Sequence, residues 1–280
     1  MDISFIILSY NSENCIEECI LSYAEAVSKD SLVAEFLIVD NGSFDNTAKL
    51  LEEKIFSGLT SYCSGKLYQM KKNHGTTVTR NLALKDAKGR VIVICDSDTV
   101  FLSGSLREGL NYLTSNESVG LIAPRLFLED GSIQNSVKLF PTFIDKFVKL
   151  GKIFFGTKYS KSDFYKDFPW DNQRAVDTAI SAFWMFPRQL LDTVGYLDEK
   201  IFYAPEDVDL CLRIWKSGKK IFYYPKINIV HKIQQISHSR PFGKIAISQF
   251  RGLIYYFRKH GYLFSRKKLY ENIGIENNVR

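Results

Sequence analysis

Between residues 3 and 95 the chain alternates between two hydrophobic periods. Runs dense in β-branched and aromatic residues, at 3–8, 35–39, 66–70 and 91–95, read as strands. Amphipathic stretches at 12–28, 43–56 and 76–87 read as helices, with Asp45-Asn46-Thr47 opening the second and Gly89 closing the third. Strand, helix, strand, helix in that order leaves few architectures. Successive strands separated by a helix pair in parallel, and helices then cover both faces. The expected fold is α/β: a mostly parallel central sheet flanked by helices, with a Rossmann-like nucleotide-binding half. In such sheets ligands sit beyond the carboxyl ends of the strands, so the polar residues there carry the functional argument.

Those ends are rich in candidates. The first strand ends in Ser9-Tyr10-Asn11, the second in Asp40-Asn41-Gly42-Ser43 and the fourth in Asp96-Ser97-Asp98. Asp40 is able to accept a hydrogen bond from the imide N–H of uracil or thymine. Asp96 and Asp98 put their carboxylates on one side if the backbone stays extended. Two such groups repel unless a divalent cation lies near them. Taken singly, each Asp reads as well as a helix cap or turn residue. All three after strands, in this order, say more.

The segments Ile7-Leu8-Ser9-Tyr10-Asn11, Ile38-Val39-Asp40-Asn41-Gly42-Ser43, Asn73-His74-Gly75 with Arg80-Asn81, Asp96-Ser97-Asp98 and Pro205-Glu206-Asp207-Val208-Asp209-Leu210-Cys211 together resemble glycosyltransferase family 2, which has the GT-A fold. The resemblance spans residues 3 to about 231. It implies an inverting, metal-dependent hexosyltransferase that uses a nucleotide-sugar. It assigns Ser9, Tyr10, Asn11, Asp40, Arg80, Asp96, Ser97 and Asp98 to the donor, Arg80 near its phosphates. Asp96, Asp98 and His231 would hold Mn²⁺ or Mg²⁺, Asp207 would be the catalytic base, and Trp184 and Glu206 would meet the acceptor. Gly120 to Pro124, Asp130-Gly131-Ser132-Ile133-Gln134, Phe140-Pro141-Thr142 and residues 194–202 look like the bacterial rhamnosyltransferase-like branch. That branch implies dTDP-rhamnose as leading donor, with UDP-galactofuranose or UDP-glucose as alternatives. It also implies a glycan or lipid-linked glycan acceptor in surface polysaccharide synthesis, such as capsule or lipopolysaccharide. Ser181-Ala182-Phe183-Trp184 departs from the Gly-Ala or Cys-Ala pair of many relatives, which leaves acceptor identity open.

The chemistry agrees with these roles. A nucleoside diphosphate leaves more easily when its charge is neutralised by a Lewis acid. An acceptor hydroxyl needs a base as it attacks, and Asp207 at a helix N-terminus is kept ionised by the helix dipole. Two other classes compete with this reading. A sugar-1-phosphate nucleotidyltransferase calls for a Gly-rich basic loop after the first strand, and Ser9-Tyr10-Asn11-Ser12-Glu13 has neither glycine nor basic residue. A non-catalytic sugar-binding protein has no need of intact Asp96, Asp98 and Asp207.

The 280 residues are 45% hydrophobic and 24% charged, enough for a large core. The expected division is 1–240 as the catalytic domain (1–100 donor half, 101–240 acceptor half) and 241–280 as a basic amphipathic helical tail. Of the net charge of +6, eight basic residues lie from Arg240 to Tyr270 with no acid among them, which leaves −2 elsewhere. Ile247, Phe250, Ile254 and Phe257 recur at helical spacing in that tail. They suggest either a peripheral membrane stripe or a face packed on the domain or in a homodimer. No nucleic-acid partner is expected. The N-terminal run is too short for a membrane span and lacks a basic leader, so a cytoplasmic protein, peripheral on the inner membrane face, is the expectation. The five cysteines match no zinc pattern and read as reduced and buried.

Overall fold

The computed structural model describes residues 1–56, 59–143, 145, 163–232, 244–262 and 264–275. Four parallel strands form its first half: β1 (Ile3–Ser9), β2 (Ala34–Asp40), β3 (Cys63–Gln69) and β4 (Val91–Asp96), in the spatial order β3-β2-β1-β4. Every residue of β2 is buried, as expected for an apolar run covered on both faces. The register sets Ser9 beside Asp40 and Leu8 beside Asp96, so the polar strand ends lie level at one edge. Helices α1 (Ile16–Lys29), α2 (Thr47–Leu50, continuing as one π turn over Leu51–Ile55) and α3 (Thr76–Asp86) supply the crossovers.

Two of these helices start later than their periodicity suggests, because polar side chains bond the backbone first. Asp45 Oδ1 accepts from Thr47 N at 3.0 Å, and Thr47 Oγ1 accepts from Ser12 N at 2.8 Å. Those bonds hold residues 12 and 43–46 in loops that face each other across the strand ends.

Beyond β4 the sheet is mixed rather than parallel. β10 (Phe183–Pro187) lies antiparallel between β4 and β6 (Val119–Phe127). β11 (Lys220–His231) runs parallel to β6 and antiparallel to β5 (Thr99–Ser103). The bridging strand is a five-residue apolar run, and hydrophobic period does not give such a run a direction. β8 (Arg174–Ala175) adds to β11, and β7 (Val137–Lys138) pairs with β9 (Thr178–Ala179). The remaining helices are α4 (Leu106–Ser115), α5 (Leu190–Val194), α6 (Glu206–Lys216), α7 (Lys244–His260) and α8 (Arg266–Ile273).

One core lies on each face of the sheet. The first joins Phe5, Phe36 and Phe183 to Tyr23 and Ile20 of α1. The second joins Trp184, Phe186 and Tyr223 to α6, and it also includes Tyr256, Phe257, Tyr262, Leu269 and Tyr270. Residues of the C-terminal helices thus pack into the same core as Trp184 and α6. Tyr256 is 0% and Phe257 2% exposed, worth roughly 1.5–3 kcal/mol apiece in burial. The anticipated stripe divides, with Phe257 inside while Ile247 and Phe250 remain about half exposed. Gly252 makes the docking possible, since a Cβ there would stand 2.3 Å from the Ala204 carbonyl oxygen. The cysteines are free, and all but Cys63 are buried. Phe147, Phe154, Phe155, Tyr159, His238 and Arg240 lie outside the described residues.

Candidate active site

Asp96 closes β4, Ser97 and Asp98 form a tight turn, and Thr99 opens β5. The two carboxylates converge through that turn and not through an extended pleat. β5 pairs with β11 so that Thr99 stands opposite His231, and Lys232 N donates to the Asp98 carbonyl at 2.8 Å. Strand register thus delivers a histidine 133 residues away to the Asp-x-Asp turn. Asp96, Asp98 and His231 each offer one ligand atom, all within 4.8 Å of one another. His231 Nε2 lies 3.4 Å from Asp98 Oδ1, and its Nδ1 lies 2.9 Å from Gln134 Oε1. If Nδ1 donates to Gln134, Nε2 is free to ligate.

The electrostatics ask for positive charge at this point. Burial pushes the Asp96 carboxyl up; Arg80 opposes that and Asp98 adds to it. Burial alone would lower the His231 imidazole, but hydrogen bonding and charge from Asp98, with Asp96 behind it, raise it. Two carboxylates and one imidazole at one point fit Mn²⁺ or Mg²⁺.

Arg80, expected beside the donor phosphates, is 1% exposed. Nη2 donates to Asp96 Oδ1 at 2.6 Å and Nη1 to Glu206 Oε1 at 3.5 Å. It therefore couples the Asp-x-Asp turn to the start of α6. Glu206 is also mostly inside, where it accepts from Ser181 Oγ at 3.1 Å. Burial and the charge of Asp207 push its carboxyl up to about 8, against the pull of Arg80. A buried, largely protonated Glu206 supports Arg80 and Ser181 and offers little to an acceptor. Trp184 is corrected more sharply. It is 0% exposed, with Nε1 donating to the Ala179 carbonyl at 3.1 Å, and it is core.

Asp207 is the half-buried carboxylate of this motif, on the first turn of α6. Asp209, two residues on, is fully buried and held by Arg213 Nε at 2.9 Å, Lys259 Nζ at 2.7 Å and His260 Nε2 at 2.8 Å. Burial would raise its carboxyl, but His260, Arg213 and Lys259 bring it down to about 2. The end of α7 is thereby fastened to the helix that carries Asp207.

On the donor side, Asp40 is 3% exposed and accepts from Ser43 Oγ and, at 3.3 Å, from Ser43 N. Burial raises its carboxyl, and the Ser43 bonds partly offset that. Asn11 sits at φ 51°, a left-handed conformation that Asn tolerates, and its Oδ1 accepts from Phe44 N at 3.1 Å. Tyr10 meets Phe44 edge-on at 5.7 Å, and Phe44 is 82% exposed. Ser97 Oγ shares a 2.8 Å hydrogen bond with Ser12 Oγ. Ser9 is wholly buried.

Sequence reasoning missed Tyr203. Its hydroxyl is pushed up to about 12, first by burial and then by the charges of Asp96 and Glu206, with Arg80 opposing. The residue is 38% exposed and stands three positions before Glu206. The available signal was a Phe-Tyr pair just before Ala204-Pro205. Ser12 and Phe44 fall within the stretches expected as helices and were given no site role.

The mixed, helix-flanked sheet is the GT-A architecture of glycosyltransferases. The sequence profile of "Glycosyl transferase family 2" matches residues 4–195, and the chain belongs to that family. An uncharacterized glycosyltransferase of Rickettsia felis is 33% identical over 120 residues, which are 42% of this chain and 18% of the relative. The chain is thus similar to only a small part of that protein. The N-acetylglucosaminyl-diphospho-decaprenol L-rhamnosyltransferase of Mycobacterium tuberculosis is 24% identical over 216 residues, 70% of this chain and 65% of the relative. A solved structure of GalNAc-T7 with UDP, GalNAc and Mn²⁺ superposes with a TM-score of 0.60 at 14% identity, covering 98% of this chain and 57% of that one.

Proposed function

We propose that the chain transfers a hexose from a nucleotide-sugar to an acceptor hydroxyl with inversion at the anomeric carbon. The observation that carries this reading is one guanidinium, Arg80, spanning from the Asp96-Ser97-Asp98 turn to the Glu206-Asp207 start of α6. Donor and base motifs far apart in sequence then border one crevice. A divalent cation held by Asp96, Asp98 and His231 would neutralise charge on the departing diphosphate. Asp207 takes the proton of the acceptor hydroxyl as its oxygen bonds to the anomeric carbon and the bond to the diphosphate oxygen breaks. One displacement with one base gives inversion. Asp40 is the partner for the imide of the base, with the Tyr10–Phe44 pair as the adjoining aromatic surface. Arg80 and Glu206 act by positioning. Burial of Arg80 fixes Asp96, and a protonated Glu206 avoids placing a second full charge beside Asp207.

L-rhamnose on dTDP is the leading donor, supported by the name of the mycobacterial relative; UDP-sugars are the alternative, supported by the UDP in the superposed structure. The acceptor we propose is a glycan or lipid-linked glycan of a surface polysaccharide. Among the described residues no helix is long and apolar enough to cross a membrane. Peripheral contact through exposed Phe250, Phe264 and Arg258 suits such an acceptor. A thermal-shift screen of dTDP-, UDP- and GDP-sugars with Mn²⁺ tests the donor. The correct nucleotide-sugar at a hundredfold excess over its Kd stabilises by about 2.7 kcal/mol, and no response to any of them contradicts the reading.

A further inference from the structure

A groove of about 590 Å³ runs between α7 and the segment 200–202. The transfer chemistry derived above makes no use of it. Lys200 and Arg251 line it together with Phe202, Ile247 and Tyr255, and no acid is among its described lining residues. The Lys200 ammonium lies 5.7 Å from the centre of the Tyr255 ring. The nearby carboxylate of Asp198 is already taken, accepting from Tyr255 Oη at 2.8 Å and Lys259 Nζ at 2.6 Å. The groove is thus positive and aromatic at once.

Its position ties it to the catalytic crevice. Gly252 on its wall abuts Ala204, and Ala204-Pro205 leads directly into Glu206 and Asp207. In the same short segment, Lys200 and Phe202 face the groove, while Tyr203 feels the charges of Asp96, Glu206 and Asp207. Phe202 is anchored from behind, its carbonyl accepting from Thr76 N at 2.6 Å. The groove thus borders the short segment that carries the chain into the Glu206-Asp207 start of α6.

We propose that this groove is the acceptor subsite, and that it takes an acceptor with a phosphate near the hydroxyl to be glycosylated and an apolar chain beyond that phosphate. The inference rests on the glycosyltransferase reading and names its acceptor class. Arg251 presents a planar fork suited to two phosphate oxygens, and Lys200 adds a point charge. Phe202, Ile247 and the Tyr255 ring give the apolar chain a surface. A neutral free sugar would leave both cations without a counter-charge.

The test is titration of the full chain with farnesyl diphosphate, a soluble probe with both features, under saturating UDP and Mn²⁺ so that the donor side is filled. The parent binds the probe, and Arg251→Glu and Lys200→Glu each weaken binding about tenfold or more, the loss expected from one charge-assisted bond. Arg188→Glu, exposed and outside the groove lining, leaves it unchanged. UDP affinity, titrated separately with Mn²⁺ and without the probe, stays constant across the variants and reports on the donor reading independently. The proposal is overturned if the parent fails to bind the probe, or if the two groove variants bind it like the parent. It is also overturned if those variants lose only binding to anionic vesicles, since that assigns the cations to a membrane surface.

Discussion

Replacing Asp209 with Asn tests how far the C-terminal helices belong to the catalytic machine. The side chain is 1% exposed and is held by three cationic groups. Breaking a buried ion pair from one side typically costs about 3–5 kcal/mol, because the partners lose their counter-charge. Lys259 keeps 26% of its side chain exposed and retains Asp198, so the lower end applies, about 3 kcal/mol. For a domain of this size that is a fall in Tm of about 6–12 °C at pH 7. The acid limb gives a second reading. The Asp209 carboxyl is depressed from 3.8 to about 2 in the folded state. Its contribution is therefore present above the unfolded value and is lost as pH falls through about 2, amounting to about 2 kcal/mol. Thermal unfolding of parent and Asp209→Asn from pH 7 down to pH 2 should show the gap narrow between about pH 4 and pH 2. Equal Tm values at pH 7, or a gap that does not change with acid, would refute the reasoning.

Asp207→Asn should keep donor affinity and lose about 10²–10⁴-fold in kcat, since an amide takes no proton. Lost donor binding with kcat preserved would make Asp207 a ligand or a cap. Glu206→Gln should fold and stay active at pH 7, because the carboxyl is raised from 4.5 to about 8 and is mostly protonated there. A carboxyl raised on folding stabilises fully below its unfolded value and loses that stabilisation as pH rises through about 8. Tm of the parent should thus fall more steeply than that of Glu206→Gln between about pH 5 and pH 8 and run parallel to it above that, and curves parallel throughout would contradict the assignment. Liposomes rich in anionic lipid should sediment the parent at low salt, with Arg258→Glu weaker; no binding by the parent removes the peripheral contact.

Much of the donor half was legible because each of its signals is local. The apolar runs that became β1, β2 and β4 are continuous and end in polar residues, so the chain itself marks where the crevice lies. His231 was reachable only through the resemblance, since the β5–β11 register that seats it beside Asp98 is a long-range pairing. Arg80, Glu206 and Trp184 were expected at ligands on motif position; their burial depends on what packs over them, which no local pattern records. The antiparallel insertion of β10 left no trace in the hydrophobic period. The tail's charge was plain to see, yet its docking depends on Gly252 meeting Ala204 and on Asp209 collecting Lys259 and His260. Such contacts become visible only once the chain is folded.

The most direct test of the central claim is release of nucleoside diphosphate from dTDP- and UDP-sugars without acceptor, measured with Mn²⁺, with EDTA, and in Asp98→Ala. Slow hydrolysis of one donor class should appear with Mn²⁺ and vanish both in EDTA and in the variant. Hydrolysis that persists unchanged in EDTA or in Asp98→Ala, or none with any donor, would contradict a metal-assisted nucleotide-sugar transferase.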